Sequence, residues 1–171
     1  TELVDSHYDY ISEAEVRAKL DTTVSKYTEA MSNQIKEINE QICTKHGQDR
    51  AAEFEEKLIG IIDQLESLHA RDVSEDAIDN ITIAAGKAQT VLLATRLLIA
   101  ESNAESAKRQ YEDGNYESAK ETFENTSAEL NDIRDTTLNQ ALKEYESELE
   151  ELLEACETNS ERARKLNLGL E

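Results

Sequence analysis

The chain has 171 residues, of which 38 are acidic and 18 are basic, so its formal net charge is -20. This charge argues against nucleic acid and anionic membrane surfaces as partners, because both are bound through clustered Lys and Arg. The chain has no proline and only five glycines, the two residue types that usually punctuate loops and turns. We therefore expect an all-α fold made of a few long helices joined by short corners.

The first predicted helix covers residues 12–46. Ser12 and Glu15 form a capping-box pattern at its start, with Ile11 and Val16 at the hydrophobic-staple positions. Gly47 is expected to end this helix. Its apolar stripe consists of Val16, Leu20, Val24, Tyr27, Met31, Ile35, Ile38 and Ile42.

The second and third predicted helices cover residues 49–70 and 75–112, and Ser74 is expected to cap the third. Between Ile78 and Ile99 the third helix is apolar on more than one face. Because a helix that is apolar all round is a buried one, we expect the third helix to be the central element of the fold.

A fourth helix is predicted over residues 115–157 or further. Gly114 is expected to end the third helix, and Asn115 is expected to cap the fourth. From Leu138 to Cys156 the apolar residues alternate spacings of four and three, which is typical of a coiled coil.

Four helices of unequal length and short corners predict an elongated antiparallel up-down-up-down four-helix bundle, with residues 1–171 as a single helical-bundle domain. The long third helix and the start of the fourth should project as a two-helix hairpin over residues 97–133. At the other end, the start of the first helix and the tail of the fourth should extend together. Gly60 and Gly86 fall at similar heights and indicate close packing of backbones, with a small ligand cavity as the alternative.

The segment from Ala107 to Phe123 resembles the central turn of a tetratricopeptide repeat. That family places a small residue in its first helix, then glycine, a capping residue and tyrosine at the corner, and then alanine and an aromatic residue. Asn103 and Thr126 depart from the family's pattern, its closing proline is absent, and the chain contains no second copy. The resemblance implies a helical hairpin and, more loosely, a protein-interaction role. The matching residues are Ala107, Gly114, Asn115, Tyr116, Ala119 and Phe123.

No constellation of residues indicates catalysis or a bound cofactor. Glu66 and His69 form one Glu-x-x-His unit, whereas di-iron bundles need two such units with further glutamates. The seven glutamates between Glu144 and Glu157 suit a calcium or cationic-partner surface, but a solvated helix face also explains them, and no calcium loop accompanies them. We therefore expect no metal site, no cofactor and no enzymatic activity.

The apolar part of the third helix does not predict a membrane span. Its longest uncharged run, Ala88 to Thr95, is far shorter than the roughly 20 residues that a span needs, so no transmembrane segment is expected. Cys43 and Cys156 form no metal or redox motif and are expected to be unpaired thiols. The sequence does not indicate a cellular compartment.

These observations favour a non-enzymatic helical-bundle domain for protein interaction or scaffolding. The candidate contact residues are Tyr111, Asn115 and Tyr116 at the tip of the projecting hairpin, since exposed aromatic side chains anchor partners well. The alternative for the two tyrosines is that they pack on each other across the corner. The expected partner is another protein or a second copy of the chain, as a homodimer. A second hypothesis is an extracytoplasmic four-helix sensor or ligand-binding module of a membrane receptor, with both chain ends on the membrane side.

Overall fold

The fold is taken from a computed structural model that describes residues 12–137 and 139–169. Ile11 and Leu138, which were assigned to apolar positions above, lie outside the described residues. Among the described residues the secondary structure is entirely helical, which confirms the all-α prediction. The helices are α1 (Glu13–Ile42), α2 (Lys45–Gln48), α3 (Ala51–His69), α4 (Glu75–Glu112), α5 (Tyr116–Thr136) and α6 (Asn139–Asn167).

The predicted starts of α1 and α4 are confirmed by their capping hydrogen bonds. The amide of Glu15 donates to Ser12 Oγ (3.2 Å), and the amide of Ser12 donates to the Glu15 carboxylate (3.0 Å), so the capping box is complete. Ser74 accepts from the amide of Ala77 (3.3 Å). Each of these bonds satisfies an amide that has no partner within its own helix.

Gly47 does not end α1, so the prediction for this glycine is wrong. The helix ends at Ile42, and Gly47 lies inside the single turn α2, where it is buried. A Cβ atom at Gly47 would lie 1.8 Å from the carbonyl oxygen of Gln41. Glycine is needed here because the backbone of α2 folds back against the end of α1, not because a helix needs a C-terminal glycine.

The fourth predicted helix is two helices, which corrects the continuous helix expected over residues 115–157. Thr137 adopts an extended conformation (φ -80°, ψ 141°) between α5 and α6. Because the chain reverses direction there, α6 packs back against α4 and α5. Residues 97–133, in α4 and α5, are therefore covered by α6. They do not form the projecting two-helix hairpin that was expected.

The buried side chains form two clusters that share α4. One cluster joins α1, α3 and the first part of α4 up to Leu92, and the other joins the rest of α4, from Leu93, to α5 and α6. Along α4, the buried residues Ala77, Ala84 and Ala88 face one side, whereas Leu93, Leu97 and Ala100 face nearly the opposite side at 100° per residue. The single four-helix bundle that was expected is thus not confirmed, whereas the central position of α4 is.

Polar contacts between helices fix the direction of each one relative to α4. Asp21 of α1 accepts from the backbone amide of Ser74 (2.8 Å), so α1 begins beside the start of α4. Glu55 of α3 accepts from Arg96 (2.7 Å), which sets α3 antiparallel to α4. Asn167, the last residue of α6, donates to the Glu117 carboxylate at the start of α5. The tail of α6 therefore lies at the far end of α4 from the start of α1, and the two do not extend together as expected.

The two mid-helix glycines do not mark close contacts between backbones. A Cβ atom added at Gly60 in α3 or at Gly86 in α4 would have no neighbouring atom within 4 Å. The prediction of close packing at these two positions is therefore wrong. Ala84, two residues before Gly86 in α4, is buried in the first cluster.

Of the helices in the described residues, α4 alone is long and apolar enough to cross a membrane by length and composition. The same composition follows from its place in the fold, because both clusters draw buried side chains from it. The expectation of no transmembrane segment remains a prediction.

Candidate functional site

The corner between α4 and α5 brings Tyr111 and Tyr116 together. Their ring centroids are 5.4 Å apart and the ring planes meet at 67°, an edge-to-face arrangement. Both side chains are half-buried, and Asn115 between them is exposed. The two tyrosines thus pack across the corner, as one of the two interpretations of the sequence held, and each keeps part of its surface open to solvent.

Gly114 holds this corner in place. Its φ of +78° is the left-handed conformation that glycine adopts at little cost. Its amide donates to the carbonyl oxygen of Tyr111 (3.1 Å), and the next amide, of Asn115, donates to the carbonyl oxygen of Gln110 (2.8 Å). This pair of bonds is the Schellman motif, so the end of α4 agrees with the prediction. Asn115 stands at the N-cap position, but its side chain makes no capping hydrogen bond.

A groove between α4 and α6 runs from this corner along the surface. It contains two adjoining cavities, of about 220 Å³ beside the corner and about 440 Å³ further along α4. Phe123, Lys108 and Asn159 line both cavities. We call this surface the α4–α6 groove. Its remaining walls are formed by Glu101, Ala104, Glu105, Tyr111, Glu112, Leu152, Ala155, Cys156 and Arg162.

Charged side chains of both signs surround the apolar floor of the α4–α6 groove. Lys108 lies 4.0 Å from the Glu112 carboxylate on the same helix. Arg162 donates from Nη1 to Asn159 Oδ1 (3.4 Å) across one turn of α6. Because these contacts are long and exposed, the two cations remain accessible to a ligand or a partner.

Two titratable groups in the groove have raised pKa values. Partial burial, together with the carboxylates of Glu148 and Glu105, raises the pKa of Glu101. Burial, with a smaller effect of the Glu157 carboxylate, raises the pKa of Cys156 to about 11. The Cys156 thiol is therefore protonated at neutral pH and is not an activated nucleophile.

The remaining candidates from the sequence are dispersed. Glu66 and His69 are exposed near the end of α3. In the part of the chain that the structure describes, no group of three or more His, Cys, Asp or Glu side chains is placed to hold a metal ion. Cys43 is exposed and Cys156 is buried, and both are free thiols. The corner and the adjoining groove thus combine two aromatic rings, an apolar floor and flanking charges.

Sequence reasoning found the corner but not the groove beside it. Tyr111, Asn115 and Tyr116 lie within a few residues of Gly114, so their proximity follows from the turn that was predicted there. Asn159 and Arg162 reach the groove only because α6 folds back on α4. Their presence at the site depended on the chain reversal at Thr137, which was not predicted.

No family model, curated protein or solved structure matches this chain.

Proposed function

We propose that this chain is a non-enzymatic helical module for protein interaction or scaffolding, and that it binds its partner at the Tyr111–Tyr116 corner and the adjoining α4–α6 groove. The observation that carries this proposal is the pair of half-buried tyrosine rings, packed edge to face beside a groove with an apolar floor. Rigid aromatic side chains lose little conformational entropy on binding, and they commonly dominate the energy of protein interfaces.

The charges of the groove favour a peptide or helix of mixed charge as the bound element. Lys108 and Arg162 suit carboxylates of the partner, while Glu101 and Glu105 suit its basic side chains. A partner side chain that is apolar would contact Phe123 at the floor. The tetratricopeptide-like turn at Gly114 agrees with this role, since that family presents helical hairpins to protein partners.

The shape of the molecule supports a scaffolding role as well. The 38 residues of α4 span about 57 Å at 1.5 Å per residue, and each part of this helix is braced by two others. We propose that the chain is an elongated antiparallel helical rod, with coiled-coil-like packing of α6, that holds surfaces at its two ends a fixed distance apart.

The alternative of a membrane-receptor sensor module gains less support. That hypothesis expects both chain ends on one side of the bundle, whereas α1 begins and α6 ends at opposite ends of α4. The α4–α6 groove is compatible with a small ligand, so a rise in melting temperature with a bound metabolite would favour the alternative.

The test is the double substitution of Tyr111 and Tyr116 by alanine. We expect a partner captured by the purified wild-type chain and identified by mass spectrometry to bind the double variant at least tenfold more weakly in a titration of the two purified proteins. The matched control is Ile83→Ala, because Ile83 is a large apolar side chain that is 56% exposed on α4 away from the corner.

The melting temperature separates binding from structure. If the tyrosines serve only to pack the corner, the double variant loses stability and its residual folded fraction binds normally. The double phenylalanine variant keeps the rings and removes the hydroxyl groups, so it should retain stability. A double alanine variant that binds like the wild type would contradict the proposed contact site.

A further inference from the structure

A second groove lies between α1 and α3, at the end of the molecule away from the Tyr111–Tyr116 corner. Its volume is about 530 Å³, larger than either cavity of the α4–α6 groove. Leu20, Tyr27 and Met31 of α1 and Leu68 of α3 line it. We call this surface the α1–α3 groove.

The α1–α3 groove exists because α1 and α3 each pack on α4 and touch each other much less. As a result, part of the apolar stripe of α1 is left exposed by the other residues that the structure describes. Val16 is 52% exposed and Tyr27 is 58% exposed, although both belong to the stripe that was predicted to be core. Val24 and Ile35 of the same stripe are buried as expected.

The side chains that line this groove carry no net charge, because they include one acidic residue, Asp63, and one basic residue, Arg71. In a chain of net charge -20, residues 22–36 of α1 contain one acidic residue, Glu29, and two lysines. By contrast, the 14 residues from Glu144 to Glu157 contain seven glutamates and no basic residue. A basic partner would be drawn to the glutamates of α6, whereas another acidic chain can approach closely only where acidic side chains are scarce.

The two charged residues that line the α1–α3 groove, Asp63 and Arg71, are arranged for pairing with a second copy. Asp63 lies within α3, whereas Arg71 lies two residues beyond His69, the last residue of that helix. Neither forms an ion pair with any other residue that the structure describes. A two-fold axis that is perpendicular to α3 and passes between these two residues would place Asp63 of each copy opposite Arg71 of the other.

We propose that the chain forms a symmetric homodimer through its α1–α3 groove, with α1 of each copy covering the groove of the other. Tyr27 lies at the centre of this interface, and two Asp63–Arg71 pairs lie at its edges. The proposal goes beyond the proposed function and does not depend on it, because the Tyr111–Tyr116 corner stays free in such a dimer.

Molar mass in solution tests the proposal. By light scattering after size exclusion and by sedimentation velocity, we expect the wild-type chain to have twice its monomer mass of 19.2 kDa. Tyr27→Glu should give a monomer, because it places a charge in the centre of an apolar interface. The matched control Ile83→Glu puts the same charge on an equally exposed apolar position of α4 and should remain a dimer. Circular dichroism establishes that both variants are folded.

A charge exchange tests the symmetry of the interface. Asp63→Arg and Arg71→Asp should each weaken dimerisation about tenfold, and the double variant should restore it because the pairs re-form with reversed sign. Both side chains are exposed, so neither change should disturb the monomer fold. A wild-type chain that is monomeric at all concentrations overturns the proposal. So does a Tyr27→Glu dimer, or a double exchange that associates no better than the single variants.

Discussion

At the scale of single residues, the glycines of this chain have different structural roles. Gly114 adopts a positive φ, whereas Gly47 has no side chain to clash with the nearby carbonyl oxygen of Gln41. Gly86 has neither role, because it lies on an exposed helix face with open space around it. The consequence of adding a methyl group should therefore differ in sign among these positions.

We predict that Gly47→Ala destabilises the chain and that Gly86→Ala stabilises it. The alanine Cβ at position 47 would lie 1.8 Å from a backbone oxygen, so the α1–α2 corner must shift at a cost of about 2 kcal/mol or more. At position 86 the alanine removes the helix penalty of glycine and adds up to about 1 kcal/mol. Denaturant unfolding measures both values. A Gly47→Ala variant as stable as the wild type would show that the corner relaxes freely.

At the scale of helices, an exposed ion-pair cluster lies at the start of α3. The Glu53 carboxylate accepts two hydrogen bonds from Arg50 (both 2.8 Å) and one from Lys57 (2.6 Å). The hydrogen bonds from Arg50, which have the larger effect, and from Lys57 lower the pKa of Glu53 from 4.5 to about 2. A carboxylate in the first turn also interacts favourably with the helix dipole.

We predict a stability difference between Glu53→Gln and the wild type that depends on pH. Because the pKa of Glu53 is lower in the folded chain than in the unfolded one, its ionised form favours folding above about pH 4.5. This contribution is lost as the pH falls from about 4.5 towards about 2, where the wild-type residue also becomes neutral. The melting temperatures of the two proteins should therefore differ at pH 7 and converge at low pH.

Glu56→Gln is the matched control, since it removes one negative charge from the same helix at an exposed position that forms no ion pair with another described residue. Removing that charge should lower the repulsion within an acidic chain instead of breaking a cluster. If Glu53→Gln behaves like Glu56→Gln at every pH, the cluster contributes nothing to the stability of α3.

Several helix boundaries could be predicted from the sequence because capping residues or a glycine lie at them. Ser12 and Ser74 predicted the starts of α1 and α4, and Gly114 predicted the end of α4. The break at Thr137 lacked both glycine and proline, so the usual signals were absent. The apolar spacing of five between Ile133 and Leu138 was the remaining signal, since a helix stripe advances by three or four.

At the scale of the whole molecule, the sequence could not reveal how the helices divide into two cores. The apolar faces of α4 between Ile78 and Ile99 predict that several helices pack on it, but not which ones. Tyr27 and Val16 follow the periodicity of a core stripe and yet remain exposed, because periodicity records which face is apolar and not whether a neighbour covers it. The α1–α3 groove became visible only once the helices were assembled.

The continuity of α4 through both cores makes a final prediction about cooperativity. Leu92 packs in the first cluster and Leu93 in the second, so any unwinding of α4 at this point removes side chains from both cores. We therefore expect the wild-type chain to unfold in a single transition. The slowest amides of α3 and of α6 should exchange with the same free energy, because both open only in global unfolding.

Ala94→Pro should uncouple the two halves. Proline at this half-buried position removes a backbone hydrogen bond and costs about 3 kcal/mol in a helix interior. We expect two separable transitions, with α3 and α6 amides exchanging at different free energies. The control Ala94→Gly lowers helix propensity by about 1 kcal/mol without removing a backbone hydrogen bond. It should therefore lower the midpoint of unfolding, while unfolding still occurs in one transition. Two transitions in the wild-type chain would show instead that the two cores are independent domains joined by a passive linker, and the rod that the scaffolding role requires would then bend at Leu92–Leu93.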